Sequence, residues 1–346
     1  MTKKVLITGS AGFIGFHLSK RLLGNDWHVI GLDALTEYYD VELKLARLEQ
    51  LKSYTNFTEI RGRLEDEDLC ANIAETHDFD LIIHLAAQAG VRYSIDHPKE
   101  YVNTNLIGTF NVLELARSKK VKHLLAASTS SVYGANKQMP FDEAQKTVTP
   151  MSFYAATKMS NELMAHSYAH IFNIPTTMFR FFTVYGPWGR PDMALFKFVR
   201  AMLDDKPIDI YNHGEMKRDF TYVEDLTQAI ELLAAAAPPL VTGRSDDARI
   251  CGDSLSTVAP FRSVNIGNSS PVNLMDYIKA AERALGKTAK KNYLDMQVGD
   301  VPATWANTNL LRNLTGYQPS TPIDVGVDRF VEWFCEFYQN GEFKNG

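Results

Sequence analysis

Cysteine is scarce in this chain. Cys70, Cys251 and Cys335 are odd in number and far apart. They support neither a disulfide framework nor a cysteine zinc site, and a reducing compartment is expected. Long apolar runs are missing as well. No stretch approaches the about 18 apolar residues of a membrane span, and the few apolar or small residues between Lys4 and Gly9 fall short of a secretory leader core. Nor is there an excess of positive charge. With 36 basic and 41 acidic residues the formal charge is −5, so nothing draws nucleic acid or an anionic membrane from a distance, and an anionic ligand must be met by local arginines and lysines. The nine histidines lack metal-ligand spacing; His166 and His170 are four apart but have no third ligand, and no metal is expected. A soluble cytoplasmic protein is the expectation.

What is present is an ordinary globular balance, 45% hydrophobic and 22% charged residues, in a chain long enough for one large α/β unit or two packed lobes. Short apolar runs at Val5–Thr8, His28–Leu32, Leu81–Leu85 and His123–Ala127 alternate with helical patterns, which predicts βαβ units and a parallel sheet covered on both faces. A less regular run from Phe57 to Leu64 makes a further strand. Leu106–Ala116 and Asn161–Phe172 carry the 3.6-residue apolar period of amphipathic helices. After about Phe182 the alternation fades at the Gly/Pro-rich Tyr185–Pro191. The expected architecture is a Rossmann-type doubly wound sheet over residues 1–182 and a smaller C-terminal substrate lobe over 183–346, some of whose segments return to the first domain. Pro238–Arg262 reads as a surface excursion, and Glu224–Asp225 as the cap of a helix starting near Leu226.

The first strand runs into Gly9-Ser-Ala-Gly12-Phe13-Ile14-Gly15 and then a helix. Glycines at that spacing let the backbone turn tightly and approach a pyrophosphate on the helix N-terminus. Asp33 closes the second strand eighteen residues after Gly15, where an acid accepts from ribose hydroxyls and repels a 2′-phosphate, so NAD is expected rather than NADP. Tyr154 and Lys158 stand four apart. On a helix they share a face, and an ammonium near a phenol favours the phenolate, a base usable at neutral pH.

Together with His84-Leu-Ala86-Ala87-Gln88 and Ser128-Thr129-Ser130-Ser131-Val-Tyr-Gly134, these motifs resemble the extended short-chain dehydrogenase/reductase family over nearly the whole chain. Within it, Asp33–Arg47, Gly186–Phe196 and Met216–Tyr222 are most similar to the UDP-glucuronate 4-epimerases. Arg63 stands where family members often carry an aspartate toward the adenine.

The resemblance implies C4 epimerisation of UDP-glucuronate to UDP-galacturonate through a 4-keto intermediate by transient hydride transfer. Tyr154 would be the base, Thr129 its hydroxyl partner, and Lys158 would hold the nicotinamide ribose and keep Tyr154 acidic. Gly9, Gly12, Phe13, Ile14, Gly15, Asp33, Ala86, Ala87 and Lys158 would bind NAD. Ser130, Ser131, Thr183 and Arg190 would pin the sugar carboxylate, and Arg offers a fork that matches a carboxylate. Ala194, Phe196, Tyr211, Arg218 and Asp300 would hold UDP. Related decarboxylases and dehydratases carry a glutamate where this chain has Ser131. The resemblance also implies a homodimer. Other readings stay open: a UDP-glucuronate decarboxylase, a neutral UDP-hexose 4-epimerase, or an NAD-binding scaffold without turnover. Trp188 is expected as a loop anchor, Asn105 as a backbone brace, and Arg92 as a surface residue outside the site.

Overall fold

The computed structural model describes residues 3–241, 252–297 and 300–338. Strands β1 (Lys4–Thr8), β2 (His28–Asp33), β3 (Phe57–Arg61), β4 (Leu81–His84), β5 (His123–Thr129) and β6 (Thr176–Phe181) alternate with helices α1 (Phe13–Gly24), α2 (Val41–Lys52) and α3 (Glu67–Thr76). Between β4 and β5 come the short α4 (Tyr93–Asp96) and α5 (Pro98–Tyr101), then a π-helical turn at Val102–Ile107 that runs into α6 (Gly108–Lys119). The 20-residue α7 (Phe153–Phe172) joins β5 to β6.

C-terminal to these lie β7 (Thr183–Tyr185), α8 (Ala194–Leu203), β8 (Ile208–Tyr211), β9 (Lys217–Tyr222), α9 (Val223–Ala234), β10 (Phe261–Ile266) and β11 (Pro271–Asn273). They are followed by α10 (Leu274–Leu285), β12 (Lys291–Leu294), β13 (Ala303–Thr304), α11 (Asn309–Thr315) and α12 (Ile323–Tyr338).

Seven strands form one parallel sheet in the order β10-β6-β5-β4-β1-β2-β3. Successive strand residues point to opposite faces, and β1 has apolar residues both ways. Val5 and Ile7 pack with Phe16 and Leu22 of α1, Leu226 and Ile230 of α9 and Leu310 of α11. Leu6 faces the other layer, with Ile73 of α3, Val112 of α6 and Ala165 of α7. Covering both faces is what makes these strands read as unbroken apolar runs. The C-terminal lobe has its own core, in which Phe196 and Met202 of α8, Tyr277 and Ile278 of α10 and Phe330 and Phe334 of α12 close over Phe220 and Ile210. Each fully buried aliphatic or aromatic side chain contributes about 1.5–3 kcal/mol.

Three features depart from the expectation. The excursion from Pro238 ends before Phe261, because Phe261–Ile266 is β10, the edge strand beside β6; residues 242–251 of the excursion, Cys251 among them, lie outside the described residues. Arg262 and Ser263 break the apolar pattern of β10 but are buried with partners: Arg262 donates to Asp253 at 3.0 Å, and the Ser263 amide donates to Ser254 Oγ at 3.1 Å. Helix α9 starts at Val223, so Glu224 and Asp225 sit inside its first turn. Asp225 accepts from the amides of Ser320 and Thr321 at 3.0 and 2.8 Å. The Tyr154/Lys158 pair and Asn161–Phe172 belong to one helix, capped by Ser152, whose Oγ accepts from Ala155 N at 3.1 Å.

Candidate active site

Strand order reverses between β1 and β4, and the crevice at their C-terminal ends is where such sheets take ligands. Gly9 turns there with φ +76°, and a Cβ on it would lie 2.9 Å from Ala86 N. A Cβ on Gly15 would lie 1.9 Å from Gly9 O, so the loop can coil this tightly only with glycine. The first turn of α1 has neither a side-chain cap nor an acidic residue, which leaves its N–H groups for an anion. Asp33 braces the loop, accepting from Ala11 N at 3.0 Å through Oδ2 and from Leu35 N at 2.8 Å through Oδ1. The residues expected to bind the cofactor, from Gly9 to Gly15 with Asp33, Ala86, Ala87 and Lys158, all line one cavity. That cradle fits a dinucleotide. Arg63 lines its far end beside Gly62 and Leu64, 3.8 Å from Glu65.

Tyr154, Lys158 and Thr129 line the same cavity. Helix α7 places Tyr154 in its first turn and Lys158 one turn on, and β5 ends at Thr129. Behind them Glu162 accepts from Ser128 Oγ at 2.6 Å and pairs with Arg180 at 2.8 Å, which ties α7 to β5 and β6. Burial lowers Lys158 from 10.5 to about 8, with the Glu162 carboxylate pulling the other way. Burial raises the Tyr154 phenol above its ordinary 10.0, opposed first by the charge of Arg190 and then by a hydrogen bond with Thr129. Arg190 is thus a cation that acts on the phenol, against a net upward shift.

Ser130 and Ser131 follow Thr129 in a 3-10 turn. Thr129 Oγ1 accepts from Ser131 N at 3.2 Å and lies 3.3 Å from Ser131 Oγ, so hydroxyls rather than a carboxylic acid present themselves. Thr183, Ala194 and Phe196 line a smaller hollow that shares Phe13, Val184, Arg190 and Met193 with the main cavity. One edge of the Arg190 fork is already engaged: Nε and Nη2 donate to Asp192 at 3.0 and 2.6 Å, and Tyr38 OH donates to the same carboxylate at 3.1 Å. Burial works to raise the Asp192 carboxyl, but the Arg190 charge together with the hydrogen bonds from Arg190 and Tyr38 holds it below its usual range.

Tyr211, Arg218 and Asp300 gather in a second cluster outside the lining of the main cavity. Their centre is Arg92, which donates to Asp300 at 3.1 Å and lies 4.7 Å above the Tyr211 ring. Burial lowers Arg218, and Asp300 opposes that shift. Arg92 thus joins Asp300 to Tyr211, a contact no spacing announces, since Arg92 and Asp300 stand 208 residues apart. Tyr38 and Lys44, which the sequence did not single out, line the main cavity. Asn105 braces Gln88 as expected, accepting from its amide at 2.8 Å, and Trp188 anchors its loop against Phe16, Trp333 and Phe337.

Comparison with known proteins agrees with this geometry. The model of the NAD dependent epimerase/dehydratase family matches residues 5–243. A probable UDP-glucuronate 4-epimerase of Rhizobium meliloti (strain 1021) is 52% identical over 340 residues, covering 97% of this chain and 98% of that one. UDP-glucuronate 4-epimerase 1 of Arabidopsis thaliana is 42% identical over 339 residues, covering 96% and 77%. The crystal structure of a UDP-glucuronic acid 4-epimerase from Bacillus cereus, in complex with UDP-glucuronic acid and NAD, has a TM-score of 0.85 at 32% identity and covers 97% of this chain and 100% of that one. The chain belongs to the NAD-dependent epimerase/dehydratase family, and NAD is the dinucleotide that its glycine cradle is shaped to take.

Proposed function

We propose that the protein interconverts UDP-glucuronate and UDP-galacturonate by epimerisation at C4. The observation that carries this reading is a proton-handling set, Tyr154, Thr129 and Lys158, in one cavity with the NAD cradle, flanked by Ser131 rather than an acid and by Arg190. NAD, when bound, supplies the acceptor and donor of a hydride, so that C4 is oxidised and then reduced on its other face with no net redox change. Tyr154 Oη takes the proton of the C4 hydroxyl and returns it, and Thr129 Oγ1 hydrogen-bonds the same hydroxyl. Lys158 holds the nicotinamide ribose. Asp33 takes the adenosine ribose, and the free first-turn amides of α1 take the pyrophosphate.

The 4-keto sugar is a β-keto acid, which loses CO₂ once its carboxylate stands perpendicular to the carbonyl plane. Ser130, Ser131, Thr183 and Arg190 hold that carboxylate in place, Arg190 itself being steadied by Asp192. Tyr211, Arg218 and Asp300 take the uridine diphosphate together with Arg92, and backbone from Ala194 to Phe196 completes the pocket. Residues 1–182 form the NAD domain and 183–346 mainly the UDP-sugar lobe, with β10 returning to the sheet.

The protein works as a cytoplasmic homodimer. Ile107 and Phe110 at α6, and Leu163, Ile171 and Phe172 on α7, are 39–72% exposed, and an apolar face of that extent supports pairing of these helices across a two-fold axis. Among the described residues no helix is long and apolar enough to cross a membrane.

The test is to incubate the purified protein with UDP-glucuronate and follow the sugar by NMR. UDP-galacturonate without CO₂ or accumulating NADH is expected; a UDP-pentose product would replace this reading by decarboxylation.

A further inference from the structure

The loop that carries Arg190 turns three successive carbonyls toward the cofactor domain. Pro187 O accepts from His17 Nε2 of α1 at 2.8 Å. Trp188 O and Gly189 O accept from Arg47 Nη2 of α2 at 2.6 and 3.4 Å. The other arm of the same guanidinium, Nη1, donates to Ala11 O at 2.9 Å and to Tyr39 OH at 2.8 Å. One side chain therefore bridges the glycine loop that cradles NAD and the loop that reaches the sugar, and it does so with 0% exposure. Trp188 has φ +60°, the left-handed region, which a bulky residue keeps only when its surroundings over-determine it. Burial lowers His17 from 6.5 to about 4, so it contributes a neutral ring and no charge to this joint.

The acceptors that hold Arg47 are three carbonyls and a phenol, none of them charged. A buried cation without an anion is costly. The pyrophosphate of NAD, when held by the glycine loop that contains Ala11, would supply negative charge near it. A planar fork can span two loops where the point charge of a lysine cannot.

We propose that Arg47 is the positioning residue that couples the two ligands: a uridine nucleotide fixing the 183–196 loop fixes Arg47, which fixes the glycine loop on NAD. This rests on NAD as cofactor and a UDP-sugar as substrate. Binding of UDP then slows NAD release, and by linkage NAD tightens UDP. Arg47 touches no reacting atom in this scheme, and its effect is read in retention rather than in the chemical step.

The experiment follows exchange of radiolabelled NAD into the purified holoenzyme, with and without saturating UDP. In the unaltered protein UDP should lengthen the exchange half-life about tenfold, within the usual coupling range of about 5–150-fold. In Arg47→Lys the ratio should fall below about twofold, whatever the absolute rate, because a purely structural lesion would speed exchange equally with and without UDP. Tyr39→Phe, which removes one acceptor of Arg47 but neither loop, should keep the ratio. An unchanged ratio in Arg47→Lys overturns the inference. So does a ratio near one in the unaltered protein, a result that decides the matter even if the variant fails to fold. Failure of UDP to bind at all would sink the proposed substrate class, whereas binding of UDP without coupling would sink only the role of Arg47.

Discussion

Substitution of Glu162 by glutamine removes a charge behind the active site without changing side-chain size. Glu162 meets Arg180 through two contacts, Nη2 to Oε2 at 2.8 Å and Nε to Oε1 at 3.0 Å, with the two side chains 9% and 6% exposed. Opposite charges centred about 4 Å apart attract by about 4 kcal/mol at an effective dielectric of about 20. Without Glu162 the guanidinium keeps only neutral acceptors, Tyr133 OH at 3.1 Å and Glu143 O at 3.3 Å. Breaking one side of a buried pair in this way costs about 3–5 kcal/mol, which is the expected loss in urea unfolding of Glu162→Gln. Arg180→Met alone strands the carboxylate and should cost a similar amount. Because each single change leaves a buried charge that the double change does not, the double variant should lose less than the sum of the singles. The function should register the change too. Glu162 is the group that raises Lys158 against burial, so in Glu162→Gln the lysine loses its proton at lower pH and the alkaline limb of the kcat profile moves down. A loss within about 1 kcal/mol for Glu162→Gln, or strict additivity in the double variant, would refute the reasoning.

Tyr154→Phe should lower turnover about 10²–10⁴-fold, the usual worth of a positioned acid–base group, while the purified protein keeps its NAD; near-normal rates by NMR would remove Tyr154 from the base role. Arg190→Ala should weaken UDP-glucuronate binding and release CO₂ as a side product, detectable as a UDP-pentose, and an unchanged product profile and affinity would release Arg190 from holding the carboxylate. Gly15→Ala should abolish NAD binding in titration calorimetry, since its Cβ would lie 1.9 Å from Gly9 O; retained affinity would mean that the loop opens at no cost. Burial holds His17 and His123 down at about 4 and His84 at about 3, against 6.5 when exposed. Below about pH 6.5 the unfolded chain takes up protons that the folded chain refuses, so this stability is complete above 6.5 and is lost as pH falls toward about 4. Urea midpoints that stay level between pH 7 and pH 5 would contradict it.

Much of this site was written locally. The glycine loop, the acid closing β2 and the Tyr154/Lys158 pair are each short-range patterns, since a strand-to-helix turn, a strand end and an i, i+4 step are fixed by neighbours in the chain. The alternation of apolar runs with helical periods likewise foretold the parallel sheet. Where local pattern was weak the reading slipped. Strand β10 was hidden because Arg262 and Ser263 interrupt its apolar run, and only Asp253 and Ser254, brought alongside by the fold, make their burial tolerable. Helix α9 began early because Asp225 had a partner in the 320–321 segment rather than a cap to form.

By itself the sequence determined the sheet, the cofactor cradle and the pairing of Tyr154 with Lys158 on one helix, because those depend on periodicity, backbone freedom and residues a turn apart. The tertiary structure alone decided which charges act on them. Arg190 opposes the burial of Tyr154, Arg92 joins Asp300, and Arg47 ties one loop to another. Electrostatic influence falls with distance in space and is blind to separation along the chain, so no pattern in the sequence could have announced these pairs.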